Sequence, residues 1–215
     1  MLTLHRAALV LPDPADPTAP PLSDGAVLVR DGRIAALGPY RALAAAHPGA
    51  RLRDWGDALL TAGLRNPYGH WLLECAYHPD PREGVGDEPV FGGLAGTTDE
   101  ARCGASARRG LQRMLGFGVT AVAGPFERAS VRTAVARSGL AALPGSVGDE
   151  GPLDPLAVLP LGAAAHGRLT DDGPADFAVF ALTAGQGAAA AGGDALRPGG
   201  CLATVLAGRL VYRRR

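Results

Sequence analysis

Apolar residues dominate Leu2 to Val10, a density that suits a β-strand, and the Pro- and Asp-rich run from Pro12 to Pro21 then breaks it as a loop. Two short apolar runs follow, Ala26 to Arg30 and Arg33 to Leu37. They flank Asp31-Gly32, whose glycine tolerates the positive φ that a tight hairpin needs. Tyr40 to Ala46 predicts a short helix stopped at His47-Pro48-Gly49, and Arg51 to Trp55 a returning strand. Asp57 to Leu64 predicts a buried strand leading into a second domain.

The middle of the chain changes character. Pro79 to Gly96 is dense in proline and glycine and predicts a long loop. Thr97-Thr98-Asp99-Glu100 fits a capping box, with a helix to about Leu115. A turn at Gly118, a strand from Val119 to Ala123, a helix from Glu127 to Arg137 and a short strand from Leu140 to Leu143 complete a βαβαβ order. Strands return at Asp176 to Leu182, Cys201 to Leu206 and Arg209 to Arg213, the last two joined at Ala207-Gly208. The Ala/Gly-rich stretch Thr183 to Gly193 between them is expected to be a loop.

Composition narrows the chemistry. With 215 residues, 47% of them hydrophobic, the chain has enough apolar matter for a sizeable core. The charges balance at 21 basic and 21 acidic residues, so no overall field draws the chain to nucleic acid or a membrane surface. Every basic residue is arginine. A lysine Schiff base, a carbamylated lysine bridging two metals and a lysine base are therefore all excluded. Cys75, Cys103 and Cys201 are odd in number and far apart, which suits free thiols in a reducing cytoplasm better than a disulfide frame. No apolar stretch approaches the roughly 18 residues of a membrane span, and none has the make-up of a secretory signal, so neither export nor insertion is expected.

Asn66, Tyr68 and His70 alternate, so on an extended segment they would point the same way into a pocket able to take a small polar ligand. The alternative is that Asn66 and Tyr68 satisfy backbone groups at a strand end. On a helix, His70, Glu74 and His78 fall at i, i+4 and i+8 and share a face where a divalent ion such as zinc could sit. Metal sites need three or four ligands, no fourth is identified and Pro79 would end such a helix. Ordinary side-chain pairing is the favoured reading, and no cofactor is expected. Asp99, Glu100 and Glu127 lie at helix starts, where capping and the macrodipole account for them without a catalytic role. Cys75 lies three residues from His78, but a lone cysteine of this kind is expected to serve as a small hydrophobe.

The run Asp24-Gly25-Ala26-Val27-Leu28-Val29-Arg30-Asp31-Gly32-Arg33-Ile34-Ala35-Ala36-Leu37-Gly38 resembles the start of the cyclic amidohydrolases. That group includes imidazolonepropionase, guanine and cytosine deaminases and aminodeoxyfutalosine deaminase. The closing strands around Ala175-Asp176-Phe177 and Gly208-Arg209-Leu210-Val211 resemble the family's end. The resemblance implies an α/β protein: a small β-sandwich-like composite domain built from both chain ends, here 1–60 and 165–215. Between them it implies a metal-dependent (β/α)8 barrel, reduced here to a shortened, incomplete layer at 61–164. A complete barrel takes about 200 residues or more, whereas about one hundred lie between Gly63 and His166, enough for about three βα units.

At the barrel entrance the family carries P-G-L-V-N-x-H-x-H, and Ala62-Gly63-Leu64-Arg65-Asn66-Pro67-Tyr68-Gly69-His70 stands in its place. Tyr68 replaces the first histidine and His70 matches the second. After His78 the chain has one further histidine, His166, in a segment matching the region after the barrel. By resemblance the chain is thus a divergent relative of hydrolases of non-peptide C–N bonds, with an incomplete metal-ligand set. Two alternatives stay open: a non-catalytic accessory subunit, or an enzyme with a new pocket around Asn66, Tyr68, His70 and Glu74, its metal completed across a dimer interface. An open barrel remnant is expected to cover its edges by forming a homodimer or binding a partner enzyme.

Overall fold

The computed structural model describes residues 2–182 and 196–214. The stretch from Thr183 to Gly193 lies outside the described residues. Eleven strands form two sheets among those described.

The larger sheet gathers both ends of the chain. Its strands are β1 (Leu2–Leu11), β2 (Leu22–Arg30), β3 (Arg33–Pro39), β4 (Arg51–Asp54), β5 (Ala58–Ala62), β9 (Phe177–Ala181), β10 (Cys201–Leu206) and β11 (Arg209–Arg213). The order is β11-β10-β9-β5-β1-β2-β3, with β4 pairing alongside the first half of β1. Asp31 and Gly32 both have positive φ, 49° and 83°, as the β2–β3 turn requires, and Ala207 and Gly208 repeat this at the β10–β11 turn. The two turns meet. A Cβ on Gly32 would stand 3.1 Å from the Ala207 carbonyl oxygen, and one on Gly208 2.8 Å from Val29. The sheet therefore curls until its two outer hairpins touch, which gives it a sandwich-like closure over one core.

Its central strands are apolar on both faces, and the alternation explains why. Val10, Leu60, Phe177 and Val179 point into the core enclosed by the curled sheet, with Val27, Ile34 and Val205. Leu9, Leu11, Leu59 and Phe180 point the other way, onto the second sheet and its helices. Helix α1 (Tyr40–Ala46) packs on a third cluster around Leu4 and Leu28.

The second sheet is parallel: β6 (Leu64–Asn66), β7 (Val119–Ala123) and β8 (Ala141–Leu143), in that order. The crossovers carry α2 (Glu100–Leu115) and α3 (Ala129–Ser138). Helix α2 buries Cys103, Ala107, Leu111 and Met114 at a 3–4 spacing, the last three in the core shared with the sheet and Cys103 against Tyr77 and Leu94. A short helix, α4 (Leu161–Ala164), precedes the return to the large sheet. No helix among the described residues is long and apolar enough to cross a membrane.

The expected single strand from Asp57 to Leu64 is divided. Ala58–Ala62 stays in the large sheet, between β1 and β9, and the second sheet starts at Leu64. Gly63 makes the change of direction: its carbonyl accepts from the His166 N–H at 2.7 Å and its N–H donates to the Asp176 carbonyl at 3.3 Å. A Cβ there would lie 2.1 Å from the buried Thr120 side chain. Gly63→Ala is expected to cost about 2 kcal/mol by overpacking, a fall of about 6 °C in Tm for a chain of this size. An unchanged melt would show that the junction relaxes without cost.

The capping expectation is also corrected. Asp99, not Thr97, caps α2, its carboxylate accepting the Arg102 N–H at 3.0 Å. Glu100 reaches across to α3 and accepts the Ser130 N–H at 3.0 Å. Ser130, through its side chain first and its backbone N–H second, holds the Glu100 carboxyl below its ordinary pKa.

Candidate functional site

The segment leaving β6 does not stay extended. Asn66 accepts the Tyr68 N–H at 2.9 Å through its side-chain oxygen, closing an Asx turn over Pro67. Its amide nitrogen donates to the Pro152 and Leu153 carbonyls, both at 3.0 Å. The two donor bonds of this fully buried side chain hold the strand end to the 152–153 loop. The Tyr68 ring lies against Gly151, where a Cβ would come within 2.2 Å of it. The alternation expected to aim Asn66, Tyr68 and His70 into one pocket is therefore broken by the turn.

The chain then winds through His70 into one π-helical turn, Trp71–Cys75, and leaves it extended at Ala76. The shared helical face expected for His70, Glu74 and His78 fails for this reason, because the helix ends before His78. His78 lies beneath α2, its Nε2 2.8 Å from the Leu72 carbonyl and its ring against Gly110. Burial lowers the His78 pKa to about 4, with Arg113 and Arg109 acting in the same direction against the hydrogen bond to Leu72.

His70 and Glu74 do come together. With Cys75 they line a cleft of about 550 Å³, whose other wall is built from Glu100, Glu127, Arg128 and Arg132. His70 is buried, and among the described residues its Nδ1 has no hydrogen-bond partner. Glu74 is buried too, but fully engaged. Its Oε1 accepts the backbone N–H groups of Glu127 at 2.7 Å and Arg128 at 3.0 Å, and its Oε2 stands 3.5 Å from the Arg128 guanidinium. These donors lie just ahead of α3, Arg128 being its N-cap residue, so Glu74 fixes the chain's entry into the helix while Glu100 satisfies the Ser130 N–H in its first turn. Cys75 is half-buried, and burial followed by the nearby Glu74 carboxylate raises its pKa, which keeps it a thiol.

Arg128 and Arg132 escaped the sequence reading. They lie four apart at the start of α3, a spacing that puts both on one helix face, and this was the available signal. Asp99, Glu100 and Glu127 stand at helix starts as expected. Asp176 accepts the Ala207 N–H at 2.6 Å in the β10–β11 turn, which is a structural post.

Among the described residues no group of three His, Cys, Asp or Glu side chains is placed to hold an ion. Tyr68 stands where the resemblance places an imidazole and is packed against Gly151, and Glu74 is engaged by the Glu127 and Arg128 N–H groups and the Arg128 guanidinium.

Comparison with known proteins supplies the context for this geometry. A family profile described as imidazolonepropionase-like composite domain, bacteria, matches residues 25–50, the β2–β3 hairpin and α1. A 5-methylthioadenosine/S-adenosylhomocysteine deaminase of Nitratidesulfovibrio vulgaris is 43% identical over 67 residues, which cover 31% of this chain and 15% of that protein. An imidazolonepropionase of Pyrobaculum arsenaticum is 41% identical over 52 residues, 24% of this chain and 13% of that one. The matches thus span less than a sixth of the length of either relative. Among solved structures, guanine deaminase from Bradyrhizobium japonicum superposes with a TM-score of 0.50 at 18% identity, over 70% of this chain and 36% of that one, a likeness of fold. Residues 25–50 thus match an imidazolonepropionase-like composite domain, and parts of the chain are similar in sequence to a deaminase and to an imidazolonepropionase.

Proposed function

We propose that this chain is a divergent amidohydrolase-like protein, derived from hydrolases of non-peptide C–N bonds, whose own side chains do not support the metal-assisted reaction. The observation that carries this reading is the engagement of Glu74 and His78 with the chain's own backbone. A carboxylate already closing a helix N-terminus and an imidazole bonded to a carbonyl beneath α2 leave His70 without fellow ligands. Metal-assisted hydrolysis needs a fixed ion to lower the pKa of its water, and one imidazole does not fix it.

Elemental analysis by inductively coupled plasma mass spectrometry, on untagged protein purified without chelator, tests this. Less than about one tenth of a zinc, iron or nickel per chain is expected, far below the stoichiometry of a catalytic site. About one metal per chain that disappears in His70→Ala would refute the proposal.

One observation favours a second reading, in which the cleft binds a small polar ligand. The buried, unpartnered Nδ1 of His70 is a polar atom of the kind that a ligand or a water satisfies, and it lies beside two arginines and three carboxylates.

A further inference from the structure

A second cleft, of about 630 Å³, lies at the opposite end of the parallel sheet. Asn66 closes the C-terminal end of β6, whereas this cleft includes Gly116 and Phe117, which lead into the N-terminal end of β7. Its walls come from the end of α2, the 79–87 loop and the end of β11. Arg109, Arg113 and Arg214 line it, with Asp87 as the one acidic residue.

The three guanidinium groups are held by neutral acceptors. Arg109 donates through Nε to the His78 carbonyl at 2.7 Å, Arg113 to the Asp87 carbonyl and Arg214 to the Gly199 carbonyl. Arg109 has a partial counter-charge in Asp80, 3.6 Å away. Among the described residues neither Arg113 nor Arg214 has a carboxylate within ion-pair distance. Backbone carbonyls orient these arginines without cancelling their charge, and each guanidinium keeps further N–H donors in a planar fork.

Two half-buried aromatic rings, Phe117 and Tyr212, share the cleft. The Tyr212 ring rests beside the end of α2, where a Cβ on Gly116 would stand at an ordinary contact distance of 3.5 Å from it. Fixed cationic forks beside aromatic rings, in a space within the usual range for small-molecule sites, suit one class of ligand.

We propose that this cleft binds a planar aromatic anion, a ring bearing a phosphate or carboxylate group, with the anion on Arg113 and Arg214 and the ring against Tyr212 and Phe117. The site is independent of the His70 cleft and of any C–N hydrolysis.

Calorimetric titration with phenyl phosphate and with benzoate, alongside phenol and inorganic phosphate as the separated halves, tests it at low salt. At least one of the two aromatic anions is expected to bind with a Kd of about 1 mM or tighter, and each half about tenfold more weakly. Arg113→Gln is expected to weaken binding about tenfold. The exposed Arg214→Gln, which leaves the fold intact, should weaken it about threefold, and Tyr212→Leu by a similar factor. Phenyl phosphate binding better than benzoate would assign the anion as a phosphate, and the reverse as a carboxylate. No binding of either aromatic anion would overturn the proposal. So would inorganic phosphate binding as well as phenyl phosphate with Tyr212→Leu unchanged, because that is the behaviour of a plain basic patch.

Discussion

Lowering the pH from 8 to 5 is expected to remove about 4 kcal/mol of folding stability through His5 and His78. Burial, reinforced by Arg53, lowers the His5 pKa from its ordinary value near 6.5 to about 3, and His78 is lowered to about 4. The folded chain therefore binds these protons more weakly than the unfolded chain does. Stability is fully present above pH 6.5. It falls as the unfolded rings protonate, and goes on falling until the pH reaches the folded values near 4 and 3. At pH 5 each ring accounts for about 2 kcal/mol. Half-buried His166, also lowered chiefly by burial, acts in the same direction.

His5 gives this prediction a specific control. Its two ring nitrogens are buried without partners among the described residues, and the ring meets Phe177 edge-on at 4.9 Å and stacks on Trp55 at 6.1 Å. His5→Leu removes two unsatisfied polar atoms from an apolar setting, so it should raise stability at pH 8 by about 1 kcal/mol and roughly halve the pH dependence. Urea unfolding midpoints at pH 8, 6 and 5 measure both effects. Equal midpoints for the parent chain at pH 5 and 8, or an undiminished slope in His5→Leu, would show that these rings are not held neutral.

The same residues show what sequence alone conveys. The hairpin at Asp31-Gly32 was legible because its determinant is local: two adjacent residues that accept positive φ, between apolar runs. Helix α1 and strands β10 and β11 were legible for similar reasons. The break at Gly63 was not, because the side chain forbidding a Cβ there, Thr120, lies far along the chain. The site failed in the same way. Periodicity placed Asn66, Tyr68 and His70 on one face, but an Asx turn at Asn66 rotates the chain out of that register. Glu100 looked like part of a local box, yet it serves a helix that begins 29 residues later. Turn and cap chemistry within a few residues can be read from sequence. A polar side chain's choice between a near and a distant backbone N–H depends on packing that the local pattern does not contain.

Glu74→Ala is expected to destabilise the protein by about 3 kcal/mol, as loss of a buried structural carboxylate should. Glu74 accepts two backbone N–H groups ahead of α3 and stands beside Arg128, whose side chain is 23% exposed. Removing it leaves those donors and the inward part of the guanidinium without a partner, and leaves a small cavity under the π-turn. Glu74→Gln keeps an acceptor for the backbone but surrenders the ion pair, so about 1 kcal/mol is expected. This ordering separates the structural role from a catalytic or metal-ligating one. A carboxylate kept for chemistry is held against the preference of its surroundings, so its removal leaves stability unchanged or improved. Thermal and urea unfolding of the two variants distinguishes the cases. If Glu74→Ala melts with or above the parent chain, the helix cap is dispensable, and Glu74 becomes available as a functional group beside the unpartnered Nδ1 of His70.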